Sequence, residues 1–131
     1  MILVDSNIPM YLVGADEARK SAAADAVRQA AAEGHELVTD AEVYQEILHR
    51  YRAIRRDDAI GPCTAVLDGL VNRVHPIDRD TVRAATSVLR ANAGLSARDA
   101  VHIAVMRHHD IGEILSFDQG FGRVPGVRRR P

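Results

Sequence analysis

The sequence predicts an α/β fold in which helices flank a short, mostly parallel central sheet. Three observations carry that prediction. Short apolar stretches alternate along the chain with longer stretches of helical periodicity. Glycines and a Gly-Pro pair punctuate the boundaries between them. Asp5 and Asp118 each close an apolar stretch. In parallel α/β sheets ligands sit beyond the carboxyl ends of the strands, so two acids at strand ends are placed where such a fold does its chemistry.

The first element is a short buried strand over 2–5, where the β-formers Ile2, Leu3 and Val4 run straight into Asp5. "NIPMYLVG" continues as a short helix, with Pro9 suited to its first turn. Residues 16–34 are Ala-rich with no internal breaker, and Gly34 stops that helix. "HELVTD" (35–40) is a strand. In 41–57, Val43, Ile47, Tyr51 and Ile54 recur at helical spacing, and Gly61-Pro62 is expected to break that helix. A helix is predicted over 63–74 and a brief extended piece over 75–77, with Pro76 favouring an edge position. Two more helices span 78–94, closed by Gly94, and 96–112, the most apolar of all. A strand over 113–118 ends in Asp118, and the tail "VPGVRRRP" supplies one more edge strand.

Composition narrows the functional classes. With 131 residues and 47% hydrophobic content, the chain is expected to form a single globular domain. A net charge of −1 argues against a wholesale basic nucleic-acid binder. The N-terminus lacks the pattern of a signal peptide, and no apolar run is long enough to span a bilayer. The lone Cys63 excludes an intrachain disulfide and fits a reducing, cytoplasmic location.

Four acids stand out: Asp5, Glu46, Asp99 and Asp118. Each alone has a structural account. Asp5 suits a turn or helix cap. Asp99, three residues after Ser96, completes a capping box. Glu46 pairs in helical register with Arg50. Asp118 suits a turn start before Gln119-Gly120. Together they are harder to dismiss. Two lie at strand ends, and one lies in the first turn of a very apolar helix, where an acid is costly unless compensated. Carboxylates sharing a pocket repel one another, and a divalent cation removes the conflict. Oxygen donors suit a hard ion, Mg²⁺ or Mn²⁺. His102 is three residues beyond Asp99 and about 60° round the same helix. It could reach the site, but a histidine on an apolar helix is expected to be packed or partnered. His108-His109 reads as a cationic pair at the helix C-terminus.

"MILVDSNI", "VTDAEVYQEILHRY", "LSARDAVHIAVM" and "ILSFDQGF" resemble the four acidic motifs of the PIN domain, most of all its VapC-type toxin ribonucleases. The resemblance covers nearly the whole chain. It implies a single PIN domain over 1–131 with a three-layer α/β/α architecture. It implies that Asp5, Glu46, Asp99 and Asp118 are catalytic and bind Mg²⁺ or Mn²⁺, with Asn7 and Ser116 supporting them by hydrogen bonds. The implied reaction is endonucleolytic cleavage of structured or single-stranded RNA, leaving 5′-phosphate and 3′-hydroxyl ends. It further implies a homodimer and a cognate antitoxin that neutralises the enzyme. Ser6 stands where that family more often has Thr and keeps the hydroxyl. Arg50, Arg52, Arg55 and Arg56 are candidates for contacting RNA phosphates, as is the Arg128–Arg130 tail. Between the two helical glutamates, Glu46 matches the motif, whereas Glu42 is accounted for by the helix N-terminus.

Two other functions are compatible with these residues. One is a haloacid-dehalogenase-like phosphotransferase with Asp5 as nucleophile, although it expects an acid where Asn7 stands. The other is a non-catalytic binding module whose acids are caps and turns.

Overall fold

The structure is a computed structural model that describes residues 1–131. Five parallel strands form one sheet in the order β3-β2-β1-β4-β5. They are β1 (Ile2–Val4), β2 (Leu37–Asp40), β3 (Arg73–His75), β4 (Glu113–Leu115) and β5 (Arg128–Arg130). The helices are α1 (Asn7–Val13), α2 (Glu17–Ala32), α3 (Ala41–Ala53), α4 (Ile60–Leu70), α5 (Arg79–Ala91) and α6 (Ala97–His108), with 3₁₀ turns at Asp57–Ala59 and Gln119–Arg123. No helix is long and apolar enough to cross a membrane.

The first strand is central because it is apolar on both sides. Ile2, Leu3 and Val4 are all fully buried. Leu3 joins Val38 and Ile114 in a core with α5 and α6, through Val88, Ile103 and Met106 among others. Ile2 and Val4 point the other way, onto Ile8, Ala30, Val43, Ile47 and Leu67 of α1 to α4. These are two apolar layers on one sheet, the three-layer arrangement anticipated from the sequence. β1 pairs with β4 in the register Val4↔Leu115, so Asp5 and the Ser116–Asp118 segment leave the sheet side by side.

Several boundaries differ from the sequence reading. The Gly61-Pro62 pair does not break a helix but lies in the first turn of α4, where a proline has no intrahelical partner to lose. α3 ends at Ala53, after which Arg55 takes a left-handed backbone (φ 57°). The extended piece placed at 75–77 is β3, two residues earlier, and ends before Pro76. Gly34 does close α2, with φ +83° just past the C-cap, a conformation other residues adopt at a cost. The tail does form the edge strand β5. His109 is not a cationic cap: its ring stacks on buried His75 at 3.7 Å, and burial, followed by the charge of His108, holds its pKa below the ordinary value.

Candidate functional site

The carboxyl ends of β1, β2 and β4 converge with the N-terminal half of α6. Asp5 follows β1 and is 5% exposed. Its Oδ1 accepts from the Ser6 backbone N–H at 2.8 Å. Its Oδ2 accepts from Ser116 Oγ at 2.6 Å and from Asn7 Nδ2 at 3.3 Å. Asn7 in turn donates to Ser116 Oγ and accepts from the Phe117 N–H. Asp118 N–H donates to that same Ser116 hydroxyl at 3.0 Å. Asn7 and Ser116 therefore tie the end of β4 to the end of β1 and fix the Asp5 carboxylate between them. With its Oδ2 taken up by two donors and its side chain buried, Asp5 is poorly placed as the nucleophile of a phosphotransferase.

Glu46 enters from α3 and is almost buried. Its Oε2 accepts from Ser6 Oγ at 2.7 Å, and its Oε1 faces Nε2 of His102. The other ring nitrogen of His102 meets Asp40 Oδ2 at 2.7 Å. Asp40 is fully buried and caps α3 by accepting from the Val43 N–H at 3.1 Å. His102 is thus completely enclosed between two carboxylates. Both ring nitrogens face acceptors, so both carry protons and the ring is an imidazolium. Burial alone would pull its pKa down, but the charge and hydrogen bond of Asp40, reinforced by those of Glu46, hold it well above the ordinary value.

This is where sequence reasoning stopped short. His102 is partnered, as expected of a histidine on an apolar helix, but its partner is a predicted site residue. Ligand atoms of Asp5, Glu46 and His102 all lie within 4.8 Å of one another. Asp40 was missed. Its partner is 62 residues away, and an acid directly before a helix looks like a cap, which it also is.

Asp99 and Asp118 flank this inner group. Asp99 sits in the first turn of α6, where Ser96 caps its N–H at 3.1 Å, so its place in the cap does not keep it from lying beside the other acids. Burial, then the charge of Asp5 and that of Asp118, push its pKa up to about 6 despite the opposing His102. Asp5 is also raised, first by burial and then by Glu46, against the pull of His102 and Ser116. Asp118 is exposed, and its Oδ1 accepts from the Gly120 N–H at 2.8 Å. Glu42 lies partly buried beside the group. Burial raises its pKa, as do the charges of Glu46 and Asp40, but no hydrogen bond ties it in.

The donor set suits a hard divalent cation. Four carboxylates, two of them with pKa raised partly by one another, share one cationic counter-charge. His102 has no free nitrogen to offer a metal, so the available ligands are carboxylate oxygens.

The basic candidates fare differently. Arg52 pairs with Asp57 at 2.6 Å, and Arg56 grips Asp58 through two bonds of 3.1 Å, around a shallow cleft of about 520 Å³ also lined by Arg55. Those pairs neutralise half of the cluster. The terminal arginines are not a free basic tail either. Arg128 and Arg130 pair with Glu113, Arg130 also pairs with Glu33, and Arg129 donates to the Ser116 carbonyl at 3.0 Å, bracing the strand behind the site.

Comparison with known proteins adds three findings. The family described as PIN domain matches residues 2–127. Ribonuclease VapC13 of Mycobacterium tuberculosis is 54% identical over 129 residues, covering 98% of each chain. Among solved structures, M. tuberculosis VapC20, described as a Sarcin-Ricin loop cleaving toxin, superposes with a TM-score of 0.79 at 25% identity over 100% of both chains. A chain of a toxin-antitoxin complex from Klebsiella pneumoniae shares the fold, with a TM-score of 0.65 at 17% identity over 98% of this chain and 96% of that one.

Proposed function

The chain belongs to the PIN-domain family, among its VapC ribonucleases, and from that premise we propose that it is a Mg²⁺- or Mn²⁺-dependent endoribonuclease toxin working through Asp5, Glu46, Asp99 and Asp118. The observation that carries the reading is the charge imbalance at the carboxyl ends of β1 and β4. Buried Asp5 and half-buried Asp99 both have raised pKa values, each in part because of other acids in the group. An acid pocket of this kind repels a phosphodiester until a cation enters it.

A divalent cation held by these carboxylates would supply charge neutralisation and Lewis acidity at the scissile phosphate. The chain's own groups supply position. Ser116 and Asn7 hold the Asp5 carboxylate in one orientation at the floor of the site. Ser6 and His102 hold Glu46 from two sides, so that it does not have to be ordered when the substrate arrives. Asp99 and Asp118, at the mouth, are the groups free to complete the oxygen donor set. The raised pKa of Asp99, about 6 in the absence of a cation, reflects burial and the unneutralised charge of Asp5 and Asp118.

The same reading includes a homodimer and a silencing antitoxin, the latter supported by the toxin–antitoxin complex among the structural relatives. An antitoxin arginine entering the acid pocket would find carboxylates arranged for bidentate pairing. Incubation of one defined RNA with the wild-type chain and with Asp5→Asn, in EDTA, Mg²⁺ and Mn²⁺, tests the enzyme reading. Cleavage should require the cation and vanish in the variant. Cleavage in EDTA, or by Asp5→Asn at the wild-type rate, would overturn it.

A further inference from the structure

Beside the acids lies a second concavity that none of them uses. Its walls are the α5–α6 loop, through Asn92, Gly94 and Leu95, and the segment after β4, through Gly120, Arg123 and Val124; its volume is about 220 Å³. Both walls are continuous with the site. Leu95 directly precedes Ser96, which caps the turn carrying Asp99. Gly120 is bonded through its N–H to the Asp118 carboxylate. The cleft is therefore built from the same two segments that carry Asp99 and Asp118.

Its lining is selective. Val124, 3% exposed, and half-buried Leu95 give it an apolar surface. Asn92 commits its amide N–H to the Val88 carbonyl at 2.9 Å, which leaves its own carbonyl oxygen as an acceptor. Arg123 is exposed and makes no ion pair, unlike Arg52, Arg56, Arg128 and Arg130. An apolar face, a two-pronged donor and a free acceptor are what a flat heterocycle with a polar edge requires. The volume equals that of roughly seven waters, on the scale of one base rather than a base pair.

We propose that this cleft is a specificity subsite, receiving one unpaired nucleobase of the RNA next to the cleaved phosphodiester, with Arg123 and Asn92 reading its edge. The proposal rests on the ribonuclease reading above and deepens it. An unstacked base is available only in a loop or a single strand, so the subsite selects for RNA of that kind. Arg123 supplies the cleft with a positive charge that no carboxylate neutralises, suited to a flanking phosphate.

Gly94 provides the test. A Cβ there meets nothing within 4 Å, and its backbone is not in the left-handed region, so Gly94→Leu places a side chain at the cleft without strain. Wild type, Gly94→Leu and Arg123→Ala are each incubated with an RNA pool randomised around a loop, at saturating Mn²⁺, and the cuts are mapped by sequencing. Circular dichroism checks folding, and exposed Arg123 serves as the variant least able to disturb it. Wild type should prefer one base, or a pair of related bases, at one position flanking the cut. Both variants should flatten that preference by roughly tenfold, the size of one lost base contact. No preference in the wild type, or the same preference in both variants, overturns the subsite while leaving the ribonuclease reading intact. Unchanged cuts combined with lost binding of the antitoxin assign the cleft to a protein side chain instead and also overturn it. No cleavage by the wild type removes the ribonuclease reading and the subsite together.

Discussion

Replacing His102 with leucine tests whether the acid pocket is held open by a buried cation. The substitution roughly conserves volume, so the cavity contribution is small. What it removes is the only positive charge between Asp40, which is 0% exposed, and Glu46, whose side chain is 13% exposed. After the change Asp40 keeps the Val43 N–H, and Glu46 keeps the Ser6 hydroxyl. Neither donor carries a charge. Removing one member of a buried ion pair costs about 3–5 kcal/mol, because the charge left behind is uncompensated. Here two carboxylates are left behind, so the upper half of that range is expected. A chain of this size loses about 3–5 °C of Tm per kcal/mol, which gives a fall of roughly 12–25 °C.

Thermal unfolding by circular dichroism in EDTA measures the loss. A double-mutant cycle with Glu46→Gln assigns it, since neutralising Glu46 first removes one stranded charge and the two costs should fall short of additivity by about 1–2 kcal/mol. The pH dependence has a definite sign. A histidine whose pKa is raised by folding stabilises fully below its unfolded value of 6.5, and that contribution disappears as the pH climbs through the folded value. The gap between wild type and His102→Leu should therefore narrow in alkali. A loss under about 1 kcal/mol, or a gap that widens with pH, would refute the imidazolium account.

Glu46→Gln should abolish RNA cleavage with the fold intact, while Glu42→Gln, at the helix N-terminus and outside the hydrogen-bonded group, should cost at most about 1 kcal/mol and leave activity largely unchanged; the reverse result would mean that α3 faces the site one turn away from Glu46. Asp99→Asn should raise the Tm of the metal-free protein by the equivalent of about 1 kcal/mol, a figure reduced for partial solvent screening, and should weaken the Mn²⁺-induced shift in Tm; an equal Mn²⁺ response in both proteins would place the ion elsewhere. Because its folded pKa of about 6 lies above the ordinary 3.8, Asp99 makes the metal-free wild type lose stability as pH rises between those values, and a titration of Tm against pH should show that slope disappear in the variant. His75→Phe should be neutral or stabilising by up to about 1 kcal/mol, since it removes a buried ring nitrogen without a partner. Burial, then the charges of His109 and Arg73, depress the His75 pKa, so the wild type should lose stability on acidification through 6.5 and the variant should lose less; equal acid sensitivity would rule out the stacked histidines as the cause.

The parts of the site that were legible in the sequence are those in which one residue has two local roles. Asp5 ends an apolar strand, Asp99 completes a cap and Asp118 starts a turn, and all three are visible from their immediate neighbours. The helices and the burial of β1 were legible for the same reason, because periodicity and apolar runs are local. The His102 bridge was not. It joins α6 to the end of β2 and to α3, and nothing near position 40 or 102 specifies that pairing. The basic clusters misled for the opposite reason. A run such as Arg128–Arg130 looks free until the fold brings Glu33 and Glu113 against it. The Gly61-Pro62 pair misled because the same residues that end a helix are harmless in its first turn.

The electrostatics of the pocket divide into two parts, and the division explains how one small fold can keep so many acids together. Asp40, His102 and Glu46 form an inner triad, buried at Asp40 and His102 and nearly so at Glu46, in which His102 offsets part of the acid charge. Asp5, Asp99 and Asp118 form an outer set with no cation of their own among the neighbouring side chains. Glu46 belongs to both parts, with one oxygen bound to His102 and the other to Ser6, whose backbone N–H also serves Asp5. The inner triad thus fixes the position of the acid that the outer set shares. The unbalanced outer charge is what a divalent cation would neutralise under the proposed function. An ion drawn to that outer set would not have to displace His102, so the demands of binding it and of keeping the fold meet only at Glu46.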